Sequence, residues 1–243
     1  MKKVLIPATI IATMAISSAT AFAAANMTGG ESVPIASAAA VSMTVQDDSK
    51  GTIEYAKKTL FNPDGSIAAV DETWADPVTH NKRIDYKEPV KGTDTLQRIG
   101  GCYLLDNGKR YIKIGIDTDS HLIGSEFTLK NPENIGLVAE KQDFIKEYRE
   151  ETRRAGWKDE GNVQTADGKK LKKLTRTDKS EAFNAAYTES VLLDESGLPV
   201  KGEIYQEKDG KTDLLYTYIY EYKNVSDDGS LFDTNGIDLR QGK

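Results

Sequence analysis

LLDESGLPVKGEIYQEKDGKTDLLYTYIYEYKNV, from Leu192 to Val225, reads as three successive antiparallel strands. The first runs through Val191-Leu192-Leu193-Asp194 and turns at Glu195-Ser196-Gly197-Leu198-Pro199. The second covers Val200 to Gln206 and turns at Lys208-Asp209-Gly210-Lys211. Glycine-containing turns between runs of β-forming residues are what set the register of such hairpins. In the third, Leu214, Tyr216, Tyr218, Tyr220 and Tyr222 recur at every second position, and a period of two puts them on one sheet face. The spacing therefore predicts a wide amphipathic face made largely of tyrosines.

Working toward the N-terminus, the same signals recur. Ile53 and Tyr55 lead into Asn62-Pro63-Asp64-Gly65, a strong turn signal, and Ser66 to Trp74 runs back with Ala68, Val70 and Trp74 on one face. A third strand is expected from His80 to Tyr86, with Arg83 and Asp85 outward. Thr95 to Ile99, Cys102 to Leu105 and Tyr111 to Ile116 read as further short strands, the last two joined by Asp106-Asn107-Gly108; Ile112, Ile114 and Ile116 alternate onto one face. The meander is interrupted after Asn131-Pro132-Glu133. From Ile135 to Arg154 the residues Leu137, Phe144, Ile145 and Tyr148 fall at helical spacing, acidic residues come early and arginines late, and Gly156 ends the segment. Trp157 to Lys179 is highly charged, and its run Lys169-Lys170-Leu171-Lys172-Lys173 reads as a solvated strand face beside a hairpin turn.

The first residues carry an address. Met1-Lys2-Lys3 is a basic start, Val4 to about Ser18 an apolar stretch, and Ala21-Phe22-Ala23 a small-x-small cleavage pattern. Residues 1–23 are expected to be a signal peptide, residues 24–50 a flexible tether, and residues 51–243 a single domain. The apolar stretch is shorter than the roughly 20 residues a membrane span needs. The expected protein is therefore exported, to the periplasm or another extracellular part of the cell envelope.

Charge narrows the partners. The chain holds 32 Lys+Arg against 38 Asp+Glu; losing residues 1–23 removes only Lys2 and Lys3, which leaves the mature chain at −8. That acidity argues against nucleic acid as a partner. With Cys102 the only cysteine, no intramolecular disulfide forms, so the core must suffice by itself. No enzymatic activity is expected. The chain has no phosphate loop, no dinucleotide fingerprint and no nucleophile elbow. Cys102 has only His80 and His121 to choose from as a base, and reads as a buried small hydrophobe. Asp117-Thr118-Asp119-Ser120-His121 begins like a calcium loop, but Leu122 stands where the loop needs Gly and Thr128 where it needs Glu, so it reads as a turn. No metal and no cofactor are expected.

Taken in order, the signal peptide, the meander, the interposed helix and the ending resemble the LolA-like superfamily of bacterial envelope proteins. This superfamily includes outer-membrane lipoprotein carriers and sigma-factor regulators of the RseB type. The ending carries the likeness: Asp194, Gly197-Leu198-Pro199, Asp209-Gly210, the tyrosine strand and Leu231-Phe232-Asp233. Trp74 followed by Arg83-Ile84-Asp85 is similar to an exposed-strand segment of the family. The resemblance spans about Gly51 to Asp233. It implies an α+β, mainly β fold: a curved antiparallel sheet forming a half-open barrel, with helices covering the concave face and an apolar cavity between. Lining candidates are Trp74, Ile84, Ile112, Ile114, Tyr216, Tyr218 and Tyr220, although plain core is the commoner use of such side chains. The expected function is to bind a lipid, a lipoprotein acyl chain or another hydrophobic ligand, as a monomeric carrier or sensor. The alternative is a protein–protein interaction module that reports envelope stress to a membrane-bound partner or to sigma-factor signalling.

Overall fold

The computed structural model describes residues 51–93, 95–130, 150, 153, 156–165, 168–180 and 184–242. The expected signal peptide, the tether and nearly all of the expected helix from Ile135 to Arg154 lie outside the described residues.

The strands are β1 (Ile53–Phe61), β2 (Ile67–Ala75), β3 (Lys82–Pro89), β4 (Leu96–Leu105), β5 (Arg110–Ile116), β6 (Leu122–Thr128), β7 (Lys158–Gln164), β8 (Lys170–Ser180), β9 (Ala185–Leu193), β10 (Pro199–Lys208), β11 (Lys211–Val225) and β12 (Asp238–Gln241). They form one open sheet in the order β12-β6-β5-β4-β3-β2-β1-β11-β10-β9-β8-β7. Consecutive strands from β2 to β6 pair antiparallel, as do those from β7 to β11. Only β12 against β6 is parallel among the pairs whose register is resolved. The described architecture is thus mainly β, more so than the expected mixed class.

Turn chemistry follows the sequence. Asn62 closes the first hairpin by accepting from Gly65 N–H and donating to the Ser66 carbonyl, with Gly65 at φ 84°. Asp194 does the same before β10, where its side chain accepts from the Leu198 N–H at 2.9 Å. The basic run around Lys170 is the start of β8 in the β7–β8 hairpin, as its spacing indicated.

Two expectations are corrected. The short strands expected at Thr95–Ile99 and Cys102–Leu105 are one strand, β4, with a register shift where Lys87 pairs with Arg98 and Tyr86 with Gly100. Gly101 makes this possible: its φ is 137°, and a Cβ there would lie 1.9 Å from the Ile84 carbonyl oxygen. The row from Leu214 to Tyr222 does not all face one way. Ile204 pairs with Tyr216 but Tyr205 pairs with Leu214, so the bulge at Leu215 turns Leu214 to the opposite face from Tyr216 and Tyr218.

The chain divides into two compact units. One holds the described residues of Leu60–Ile67 and Tyr148–Tyr220; the other holds those of Val45–Thr59, Ala68–Glu147 and Glu221–Lys243. In the first, which contains β7 to β10, the row Leu174, Val191, Gly202 and Tyr218 crosses four strands on one face, and its three side-chain-bearing members are buried. In the second, which contains β2 to β6, apolar residues cluster on both faces. Tyr103, Leu105, Ile112 and Ile114 form one cluster, with Leu122, Phe232, Ile237 and Leu239 packed against it. Ile84, Cys102 and Leu104 form the other, with Tyr86 and Tyr111.

Candidate functional site

Cross-strand pairing decides which lining candidates share a face. Trp74 pairs with Arg83, Arg83 with Tyr103 and Tyr103 with Ile112. Directly paired residues point the same way, so Trp74, Arg83, Tyr103, Ile112 and Ile114 occupy one face of the β2–β6 unit. Ile84 pairs with Thr73 and Cys102 and therefore lies on the opposite face. Tyr216, Tyr218 and Tyr220 share a face of the other unit, where the Tyr218 and Tyr220 rings meet edge-on at 5.6 Å. Tyr218 is only 1% exposed.

Tyr218 is held by a polar chain. Its hydroxyl donates to Glu189 Oε1 at 2.6 Å, Arg176 donates to Glu189 Oε2 at 3.2 Å, and the Arg176 guanidinium lies 4.8 Å from the Trp157 ring. The ring reaches Glu189 by lying over Gly202; a Cβ at that position would come within 2.2 Å of Tyr218 Cζ and Oη.

On the β2–β6 unit, side chains of five strands stack into a ladder of alternating character. Lys223 Nζ sits 5.0 Å from the Tyr55 ring, Tyr55 lies 5.3 Å from Trp74, and Arg83 lies 4.9 Å from Trp74 and 5.5 Å from Tyr103. Arg98 covers Tyr103 at 5.2 Å. Each cation over a ring face is attracted by the ring quadrupole. Acidic groups flank the ladder. Tyr55 donates to Glu72 at 2.6 Å, and Lys87 also pairs with Glu72; burial and this hydrogen bond push the Tyr55 phenol up.

Asp85 was expected to point outward and does not. Its side chain is 1% exposed. Its Oδ1 accepts from Arg83 Nε at 3.0 Å and its Oδ2 from Arg83 Nη2 at 2.6 Å, and Arg98 Nη2 also stands 2.8 Å from Oδ1. A buried carboxylate needs such partners to offset its lost hydration. The remaining Arg83 donor, Nη1, goes to the Leu231 carbonyl at 3.0 Å. Sequence reasoning placed Trp74, Arg83 and Asp85 in one segment but missed Tyr55, Arg98 and Tyr103. Arg98 and Tyr103 are an odd number of residues apart, which in a regular strand means opposite faces. The register shift at Ile99, between Arg98 and Gly100, puts them together, and the glycine pair that follows it was the available signal.

The groups that could serve chemistry are otherwise engaged. Cys102 is 6% exposed, and burial pushes its thiol up to about 11, which leaves little thiolate at neutral pH. Asp117, Asp119 and His121 bring one ligand atom each within 4.8 Å of one another. The Asp117 carboxylate already accepts from the Asp119 and His121 N–H groups at 2.9 Å, so the turn accounts for the grouping. Among the described residues no helix is long and apolar enough to cross a membrane.

The Tyr103–Ile112 cluster is the apolar part of the ladder face. It meets half-buried side chains from residues 232–239. The face thus combines an aromatic and cationic border with an aliphatic centre. Compared with known proteins, the chain matches no family model, and a search of curated proteins gives no significant match.

Proposed function

We propose that this is an exported envelope protein that binds a lipid or lipoprotein acyl chain on the ladder face of the β2–β6 unit, as a carrier or sensor without catalysis. The observation that supports it is the composition of that face. Tyr103, Leu105, Ile112 and Ile114 form a continuous apolar cluster, buried beneath Leu122, Phe232, Ile237 and Leu239, while Arg83 and Arg98 stand beside it. An acyl chain would lie on the first and its polar head near the second. In this reading the resemblance to LolA-like proteins reflects common architecture, an open antiparallel sheet. Export rests on the pattern of residues 1–23.

Magnitudes favour a long chain. Each buried methylene gains about 0.8 kcal/mol, so a tail of about ten gains about 8 kcal/mol, comparable to the roughly 4–15 kcal/mol cost of association. Short acids would escape, and long acyl chains would stay.

The test is native mass spectrometry with lipid extraction on the chain from Ala24, purified without detergent. Stoichiometric acyl mass, or saturable uptake of a fluorescent fatty acid by emptied protein, is expected. A clean protein mass with no uptake would overturn the proposal and turn attention to an interaction module that engages an envelope partner.

A further inference from the structure

We infer that the segment from Ser230 to Gly242 is an internal stand-in for the ligand, a strap that lies on the apolar face and is displaced when an acyl chain binds. The inference rests on the ligand-binding reading above and adds how that site is regulated.

The path of the strap follows from topology. From β11 to β12 the sheet order counts seven strand steps, about 34 Å along the sheet at about 4.8 Å each. The connector between Val225 and Asp238 spans at most about 43–47 Å when fully extended. Turns at Asp227 and Asp233 shorten it further, so it must run across the intervening strands. It does so on the ladder face, where Arg83 Nη1 donates to the Leu231 carbonyl.

What the strap places there is chemically close to an acyl tail. Phe232, Ile237 and Leu239 pack on Tyr103, Leu105, Ile112 and Ile114. Gly124 leaves a notch for them: a Cβ there would be 2.6 Å from Leu239 Cδ2 and 3.1 Å from Ile237 Cγ2.

The attachments are few and separable. Among the described residues they are the Arg83 bond, the bond from Gly242 N–H to the Glu126 carbonyl at 2.7 Å, four parallel register pairs between β12 and β6, and the packing of Gly242 against the Phe127 ring. The other hydrogen bonds of the connector are local. Asp227 accepts from Gly229 and Leu231, Asp228 from Ser230, and Asp233 from Asn235. These would survive lifting of the segment, so release gives up the Arg83 and Gly242 bonds, the β12–β6 pairing and the apolar contacts, and an acyl chain restores the last of these.

The experiment compares strap positions in the chain from Ala24, using dansyl-undecanoic acid as the probe and Cys102→Ala as the background. Ser125 and Arg240 are register partners; Ser125→Cys with Arg240→Cys, bridged by dibromobimane, fixes the strap. Phe232→Ser with Leu239→Ser loosens it. Bridging should weaken probe uptake at least tenfold relative to the unbridged pair, and loosening should strengthen it several-fold. Amide hydrogen exchange over 231–241 should accelerate when probe is added to the unbridged protein. Equal uptake by bridged and unbridged protein would overturn the strap while leaving the binding reading intact. No uptake by any form would overturn both. If the loosened variant fails to fold, the bridged comparison still decides.

Discussion

Gly202 shows how a single missing side chain organises one unit. Its absent Cβ leaves room for the Tyr218 ring, whose hydroxyl then reaches Glu189 two strands away. Gly202→Ala would drive a methyl into that ring and against the Ser190 carbonyl, 2.6 Å from the new carbon. Overpacking together with loss of a hydrogen bond to a charged group should cost about 2–4 kcal/mol, read as a lower urea midpoint with unchanged slope; a loss below about 0.5 kcal/mol would show that the ring moves aside freely. Asp71 makes a second case, through pH. Burial raises its carboxyl from 3.8 to about 6, with the Lys58 charge pulling the other way. The folded protein therefore binds this proton more tightly than the unfolded chain does. Stability from this group is greatest below about pH 4, falls as pH rises toward 6, and stays lower above that. Asp71→Asn should raise stability at pH 7.5, change it little at pH 4, and flatten the dependence between; equal loss at both values would mean the carboxylate makes a contact the amide cannot.

At the scale of elements, the sheet among the described residues ends at β7, whose sequence KDEGNVQ is exposed except at Val163. An unpaired edge invites pairing with another chain, and charge and bulges are the usual guards. Both are here. Lys158 pairs with Glu160 at 3.0 Å and Lys172 with Asp159 at 2.7 Å, and the register shifts between Asp159 and Gly161. Replacing Lys158 and Glu160 together by Val should leave the unfolding midpoint nearly unchanged, since both are exposed, yet raise light scattering in concentrated solution over hours. Scattering equal to wild type would show that the bulge alone protects the edge. The other end of the sheet carries β12, whose few residues and parallel pairing give it no local sequence signal.

For the whole molecule, what was legible depended on whether the determining contacts were local. β9, β10 and β11 could be read because alternation and turn residues lie in one stretch of sequence. The neighbour relation of β1 and β11 could not, because no turn connects them. β6 and β7 escaped notice for want of apolar alternation. On the candidate site, Trp74, Ile112 and Ile114 share a face, but Ile84 fell on the other because a one-residue difference in parity reverses a strand's faces. The burial of Asp85 was invisible for another reason: its stabilising cation Arg98 comes from β4, and a bulge aims it. The position of β12 has a consequence for biosynthesis. About 110 residues separate Thr128, where β6 ends, from Asp238, where its parallel neighbour begins. At a ribosome's 5–20 residues per second that is about 5–20 s. A chain folding as it is made would leave one flank of β6 open to strangers for all of that time, whereas one kept unfolded until translation ends would not.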